Sequence, residues 1–233
     1  MSAVSIPLPS PRKQRADGAE AREQLLCCAL RLFSSKGFAK TSTREIARAA
    51  GANLAAISYY FGDKAGLYRA VFTEPMGSAS DDIPLYNDPL MTLDESLAGF
   101  FKGFLEPLKQ GEMVQMCTRL HFREMMEPTG LWAQEVDNGI KPAHAALVGV
   151  LARHLGLSTP DDDLHRLAFS IAGLALQIFI GRDVVQAIAP QLLSQPEAID
   201  VWAERLVVFA CAMVQAEGQR RALPASRPGG NSA

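Results

Sequence analysis

A chain of 233 residues with 48% hydrophobic and 21% charged side chains has ordinary globular composition and is long enough to bury a real core. Its net charge of −2 gives no sign of a polyanion partner for the molecule as a whole. The charge is uneven, however. Residues 12–74 carry eleven Lys and Arg against six Asp and Glu, a local +5 that leaves −7 on the rest. A basic head on an acidic body suits a head that meets a polyanion and a body that does not, unless the asymmetry is chance.

The four cysteines, Cys27, Cys28, Cys117 and Cys211, form no C-x-x-C pair and no Cys/His cluster with zinc-like spacing. They suggest a reducing, cytoplasmic setting, with no metal or cofactor expected. Cys27 and Cys28 lie in an apolar helical run and read as core. Pro7, Pro9 and Pro11 interrupt the first fifteen residues, which contain no continuous apolar region, so no signal peptide is expected. The longest apolar run, 167–181, falls short of the ~18–20 residues that span a bilayer, and no membrane partner is expected.

In chain order, residues 1–15 read as a disordered arm. A first helix over 19–36 places Leu25, Leu26, Ala29, Leu30 and Phe33 at helical spacing. Gly37 closes it as a left-handed cap, and Phe38 folds back on the last turn. Ser42-x-x-Glu45 is a capping box that opens a second helix, ended by Gly51. Asn53 caps a third helix running to Phe61. Asp63 caps a fourth that reaches Phe72 and ends near Pro75. The Ser-, Asp-, Pro- and Asn-rich stretch 77–91 reads as a linker.

Beyond it, Thr92-x-x-Glu95 is a second capping box, opening a helix to Lys109. Another helix covers 113–127 and stops at Pro128. Pro142, at a first helical position, opens a helix to His154, with Gly156 beyond. Thr159-Pro160 starts a helix that continues to Arg182. The last long helix covers 198–217, and 224–233 read as a disordered tail. No strand alternation appears. The predicted fold is all-α: an N-terminal helix-turn-helix domain over 16–76, the linker 77–91, and a larger helical domain over 92–223.

The segment 41–67, T-S-T-R-E-I-A-R-A-A-G-A-N-L-A-A-I-S-Y-Y-F-G-D-K-A-G-L, carries most of the functional signal. Two short helices joined by a tight glycine turn make a helix-turn-helix, a device that lies in the major groove of DNA. Thr43 and the amides opening the second helix can hold a phosphate. Arg44 reaches either a guanine edge or a phosphate. In the third helix Ile57 and Phe61 must face the head's own core. Leu54, Ala55, Ala56, Ser58 and Tyr59 then lie on or beside the groove face. The small alanines allow close approach, and Ala or Leu can touch a thymine methyl. Tyr59 and Tyr60 offer hydroxyls to phosphates, and Lys64 adds one charge. Arg12, Lys13 and Arg15 either reach DNA or belong to a solvated tail.

This segment resembles the N-terminal domain of TetR/AcrR-type transcriptional regulators from about residue 20 to 72. The resemblance implies phosphate contacts from Thr43, Tyr59, Tyr60 and Lys64, and base reading by Arg44 and the face 54–58. Asn53 stands where many members carry Ser and is an equal cap. Tyr60 stands where many carry His and keeps a hydroxyl. Ala56 replaces a common hydroxyl residue, which weakens any base contact there. The run R-E-M-M-E-P-T over 123–129, with the chain length, is similar to the CecR/CerR-type branch. The family implies a homodimer built from two late helices of each subunit, here 164–182 and 198–217. Residues 167–180 are apolar nearly all round, so one face is expected against the core and another against a partner, unless this is the central core helix of a monomer. Ala172, Gly173 and Ala175 permit close helix approach.

Family members usually bind an effector in this body. On the helix 113–127, Met113, Met116, Cys117 and Leu120 share a side, with Glu124 in its middle and His121 at its edge. That pattern is expected either to line an effector pocket with convergent polar groups, or to place Glu124 against an arginine and His121 on a carbonyl. Under the pocket reading, Glu124→Gln or His121→Ala changes effector response and spares DNA affinity. Phe104, Trp132, His144, Leu147 and Phe169 are further candidates. No G-x-S-x-G, Walker A, H-E-x-x-H or nucleotide fingerprint occurs, so an enzyme is not expected. The expected function is a ligand-responsive dimeric repressor released from double-stranded operator DNA by a small molecule. A helical protein-interaction adaptor is the alternative, and an enzyme in the helical body a more distant one.

Overall fold

The computed structural model describes residues 11–222, with side chains from residue 18 onward. Its α-helices are, in chain order, α1 (Pro11–Lys36), α2 (Thr43–Ala49), α3 (Leu54–Phe61), α4 (Lys64–Thr73), α5 (Leu93–Leu105), α6 (Glu112–Met126), α7 (Leu131–Glu135), α8 (Lys141–Leu155), α9 (Asp162–Ile180), α10 (Arg182–Ile188) and α11 (Pro196–Ala222). No strand occurs among the described residues. The chain forms two compact units. One runs to Gly77 and includes Glu112–Trp132; the other joins Ser78–Gly111 to the chain from Ala133. The segment 112–132, expected in the body, therefore belongs with the head.

The head is held by α1, α4 and α6 around α2 and α3. Leu25, Ala29, Leu30 and Phe33 of α1 meet Ile46, Ile57, Leu67, Val71 and Phe72, and α6 adds Met116, Cys117 and Leu120. Local signals place the helices. Asn53 Oδ1 accepts from Ala55 N at 2.9 Å, and Asp63 Oδ1 accepts from Gly66 N at 2.7 Å. Each satisfies an amide the helix start leaves open. Gly37 takes φ 82°, a conformation that costs a side-chain-bearing residue energy. The Ser42 box is half formed: Ser42 Oγ accepts from Glu45 N at 3.1 Å, but the Glu45 carboxylate pairs with Lys36.

Several expectations are corrected. Helix α1 begins at Pro11, so 11–15 are helical, while residues 1–10 and the tail 224–233 lie outside the described residues. Cys27 is exposed, not core, while Cys28 is half-buried and packs against the head's core. The stretch 77–91 is not a free linker. It makes a 3-10 turn at Ile83–Leu85, and Tyr86, 1% exposed, donates its hydroxyl to Ala143 O at 3.1 Å. Gly99 of α5 lets the helix approach this segment backbone to backbone, since a Cβ there would fall 1.9 Å from Leu85 O.

In the second unit the Thr92–Glu95 box is complete, with Thr92 Oγ1 accepting from Glu95 N at 3.3 Å and Glu95 Oε2 accepting from Thr92 N at 2.8 Å. Helix α5 stops at Leu105, and Glu106–Gln110 tightens into 3-10 geometry where Pro107 removes an amide donor. Helix α9 is capped by Asp161, whose Oδ1 accepts from Leu164 N at 2.9 Å, rather than by Thr159. It ends at Gly181, and α10 is separate. Only one face of α9 is buried, by Leu164, Leu167, Ala168, Ile171, Ala175 and Ile178. Phe169, Leu176 and Ile180 stay exposed. At 19 residues α9 is long and apolar enough to cross a bilayer on length and composition, with a third of that window buried in the chain.

Candidate nucleic-acid interface

Helix α3 sits with Ile57, 2% exposed, in the core and Phe61 half-buried beside it. This orientation leaves Leu54, Ala55, Ser58 and Tyr59 outward, with Tyr59 82% exposed. Ala56 and Tyr60 are half-buried at the edge of that face. A tyrosine this exposed contributes almost nothing to its own core, so its place on the recognition helix favours an outside partner. The Tyr59 and Tyr60 rings meet edge-on at 4.9 Å. The Tyr60 hydroxyl lies beside Gly18 of α1, where an added methyl would come within 3.2 Å of it.

On α2, Thr43 is half-buried in the first turn and Arg44 is exposed. Arg48, one turn on, is exposed too, so the two guanidiniums share a face at i, i+4. Arg48 was not among the residues singled out from the sequence; its spacing from Arg44 is the signal that finds it. Lys64 is not extended. Its ammonium sits 4.3 Å from the Phe38 ring centroid, a cation–π contact that keeps the charge beside the turn. Asn53 is engaged as the α3 cap. The structure thus gathers Thr43, Arg44, Asn53, Leu54, Ala55, Ala56, Ser58, Tyr59, Tyr60 and Lys64 on α2, α3 and the start of α4.

The effector candidates do not converge. Met116, Cys117 and Leu120 are buried in the head core, and burial pushes the Cys117 thiol up to about 11. Glu124 is fully buried, and both its oxygens are used. Oε2 accepts from Tyr68 Oη at 3.0 Å; Oε1 accepts from Thr129 N at 2.7 Å, Thr129 Oγ1 at 2.9 Å and Leu131 N at 3.1 Å. His121 Nδ1 lies 2.8 Å from Cys117 O, and its ring stacks on Phe72 at 4.1 Å with Trp132 edge-on at 6.3 Å. Of the two readings of this helix, the contacts favour the one without a pocket: His121 meets a carbonyl, and Glu124 meets amides and hydroxyls that close the turn after α6, in place of the expected arginine.

The remaining candidates lie in the other unit. Phe104 packs edge-on to Phe179 at 5.7 Å, and Leu147 is buried. His144 Nε2 lies 2.9 Å from His165 Nδ1, and Phe169 stacks on His144 at 4.2 Å.

Residues 25–71 match the family described as "Bacterial regulatory proteins, tetR family", and residues 93–216 match "HTH-type transcriptional dual regulator CecR, C-terminal domain". The CecR dual regulator of Shigella flexneri is 28% identical over 179 residues, covering 72% of this chain and 79% of that protein. The AcrR regulator of the same organism is 43% identical over 61 residues, 26% of this chain and 28% of AcrR. Among solved structures, a tetR-family regulatory protein from Rhodococcus RHA1 shares the fold at TM-score 0.61 and 17% identity, over 83% of this chain and 96% of that one. A SmeT–triclosan complex shares it at TM-score 0.59 and 18% identity, over 91% and 99%. The chain is a DNA-binding transcriptional regulator of the TetR family. Within that family it belongs to the group whose C-terminal domain is that of the CecR dual regulator.

Proposed function

We propose that this regulator is a cytoplasmic homodimeric repressor, released from its operator by a small molecule bound in its helical body. The observation that carries the DNA reading is the outward face of α2 and α3, where Arg44, Ser58 and the 82%-exposed Tyr59 stand clear of the core. Arg44 and the face 54–58 read bases, while Thr43, Tyr59, Tyr60 and Lys64 position the backbone. Lys64 leaves Phe38 to do so.

The dimer reading is supported by the exposed apolar stripe Phe169, Leu176 and Ile180 on α9, and by Val201, Val208 and Phe209 exposed on α11. Two heads in one dimer meet successive major grooves when about 34–36 Å apart or at a multiple of that spacing. An effector that binds one head spacing better than the other lowers DNA affinity by its differential affinity for the two states. The SmeT structure, solved with triclosan, is a precedent in this fold for a bound small molecule. Phe104, His144, Leu147 and Phe169 remain the candidates for this body.

The test is a titration of the protein against DNA upstream of its own gene at two salt concentrations, beside Tyr60→Phe/Lys64→Ala. Saturable, salt-sensitive binding that the variant loses is expected. Binding no tighter than to random DNA, there and in a genome-wide fragment selection, would favour a protein-interaction adaptor.

A further inference from the structure

Two histidines from different helices meet where the outward stripe of α9 begins. His165 is exposed and lies one turn before Phe169 in the unbroken helix Asp162–Ile180, so at helical spacing it shares a side with Phe169, Gly173, Leu176 and Ile180. Its Nδ1 lies 2.9 Å from Nε2 of the half-buried His144 on α8. Phe169, 63% exposed, stacks on the His144 ring at 4.2 Å. The pair thus supports an apolar side chain that the proposed dimer covers. Ring nitrogens this close need a lone pair on at least one of them, because an imidazolium carries a hydrogen on both nitrogens. The contact forms with both rings neutral or with one charged, and it turns repulsive when both are charged.

We propose that the His144–His165 pair is an acid-sensitive lock on subunit association, closed at neutral pH and opened when both rings are protonated. This rests on the reading that the chain dimerises through α9. As pH falls, the second proton sets two N–H groups and two like charges against each other. The rings part, and Phe169 loses the ring it stacks on. A second copy then meets a displaced phenyl and two cations, and covering a charge costs free energy. Association therefore releases protons, and the dimer tightens as pH rises through the imidazole range.

The charges on the elements packed around the pair are otherwise engaged. On α9, Asp161 holds Arg221, Asp163 holds Arg166 and Arg220, and Asp162 lies 3.8 Å from Arg166. On α11, Glu217 holds Arg220 and Arg221. Before and at the start of α8, Asp137 holds Lys141. On α5, Asp94 faces the Cys211 thiol and Glu95 closes its capping box. The segment packed on α8 brings Tyr86, whose phenol burial pushes up to about 12, and Asp82, whose carboxyl is raised by burial and then by Asp81. His154 lies at the other end of α8. Among these groups His144 and His165 are the two imidazoles in mutual contact, and imidazole is the side chain that ordinarily changes charge between pH 5.5 and 7.5.

The experiment uses the full chain and needs neither DNA nor effector. Sedimentation equilibrium at pH 7.5, 6.5 and 5.5, at fixed ionic strength and with a chelator present, gives the dimer dissociation constant of the wild type, His144→Gln and His165→Gln. Glutamine donates and accepts at every pH and carries no charge. The wild-type dimer is expected to weaken by about tenfold or more between pH 7.5 and 5.5, the effect of one unit of pKa difference between monomer and dimer. Each variant should dimerise at pH 7.5 and respond to acid much less. A wild-type dimer with a pH-independent constant would overturn the lock and leave the dimer reading standing. So would variants that weaken in acid as much as the wild type, since other groups would then titrate. Dissociation that tracks a loss of helical circular dichroism would be acid unfolding and would overturn it too. A wild type that is monomeric at all three pH values removes the dimer reading itself, and the lock with it.

Discussion

Tyr68 donates its hydroxyl to Glu124 at 3.0 Å, joining α4 to α6 across 56 residues of sequence. Glu124 is fully buried, and its other oxygen takes the amides of Thr129 and Leu131. Burial first, and the carboxylate next, push the Tyr68 phenol well above its ordinary range, so it stays a donor at any working pH. Glu124→Ala strands two amides and two hydroxyls, and should cost on the order of 3 kcal/mol in urea unfolding. Tyr68→Phe should cost about 1 kcal/mol. The double variant should cost less than the sum of the two; strict additivity would mean the pair is not coupled.

The same pair shows what the sequence could and could not say. The caps Asn53, Asp63 and Thr92, the glycine ends and the amphipathic faces depend on neighbours within a few residues, and they were legible. The helix-turn-helix and its outward residues followed from them. Glu124 was legible only as a carboxylate on an apolar face. Whether such a group meets a cavity or a set of donors is decided by Tyr68 and by the turn at Thr129, which no local pattern connects. The buried Tyr86 in a polar stretch was missed for the same reason: its acceptor, Ala143 O, lies 57 residues away.

Arg44 and Lys64 should separate in a salt series. Arg44→Ala, if it removes a base contact, should weaken specific binding by about 1–3 kcal/mol and relax discrimination at one base pair. Lys64→Ala should weaken specific and random DNA alike and lower the slope of log K against log salt by about 0.9, the value for one phosphate. Fluorescence anisotropy at four salt concentrations reads both. An unchanged slope would leave Lys64 on Phe38 in the complex as well.

The His144 and His165 rings lie nearly parallel, 17° apart with centroids 5.2 Å apart, and His144 Nε2 faces His165 Nδ1 at 2.9 Å. Burial, then the neighbouring His165, hold His144 below the ordinary imidazole pKa. An unfolded histidine titrates near ~6.5. Below that pH the unfolded chain takes up a proton the folded chain refuses, so stability falls as pH drops from ~6.5 and levels off under the folded pKa. Thermal midpoints from pH 7.5 to 5 should drop more for the wild type than for His144→Asn. Parallel curves would remove His144 from the effect.

Asp161 grips Arg221 through both oxygens, at 2.7 and 2.8 Å, while capping α9. The guanidinium first, and the Leu164 amide next, hold its carboxyl well below the usual carboxylate range. A depressed folded pKa contributes stability that is complete above the unfolded value of ~3.9 and is lost as pH falls through the folded one. Asp161→Asn keeps a capping oxygen and deletes the charge. Its melting midpoint should lie below the wild type at pH 7 and meet it only under strongly acidic conditions. A gap that stays open at pH 2 would point to the cap rather than the ion pair.

The outward stripe of α9 passes through Gly173, where an added Cβ meets nothing within 4 Å in its own chain. Gly173→Leu therefore has room in the subunit, and in a helix it should stabilise by up to about 1 kcal/mol over glycine. In the proposed dimer the same leucine would intrude on the second copy, because a glycine between Phe169 and Leu176 is where two helices can approach most closely. The expected result is a variant that keeps its helical spectrum and melts as a folded subunit, but elutes as a monomer in light scattering across a concentration series where the wild type is a dimer. A dimer that persists unchanged would move the interface off this face of α9.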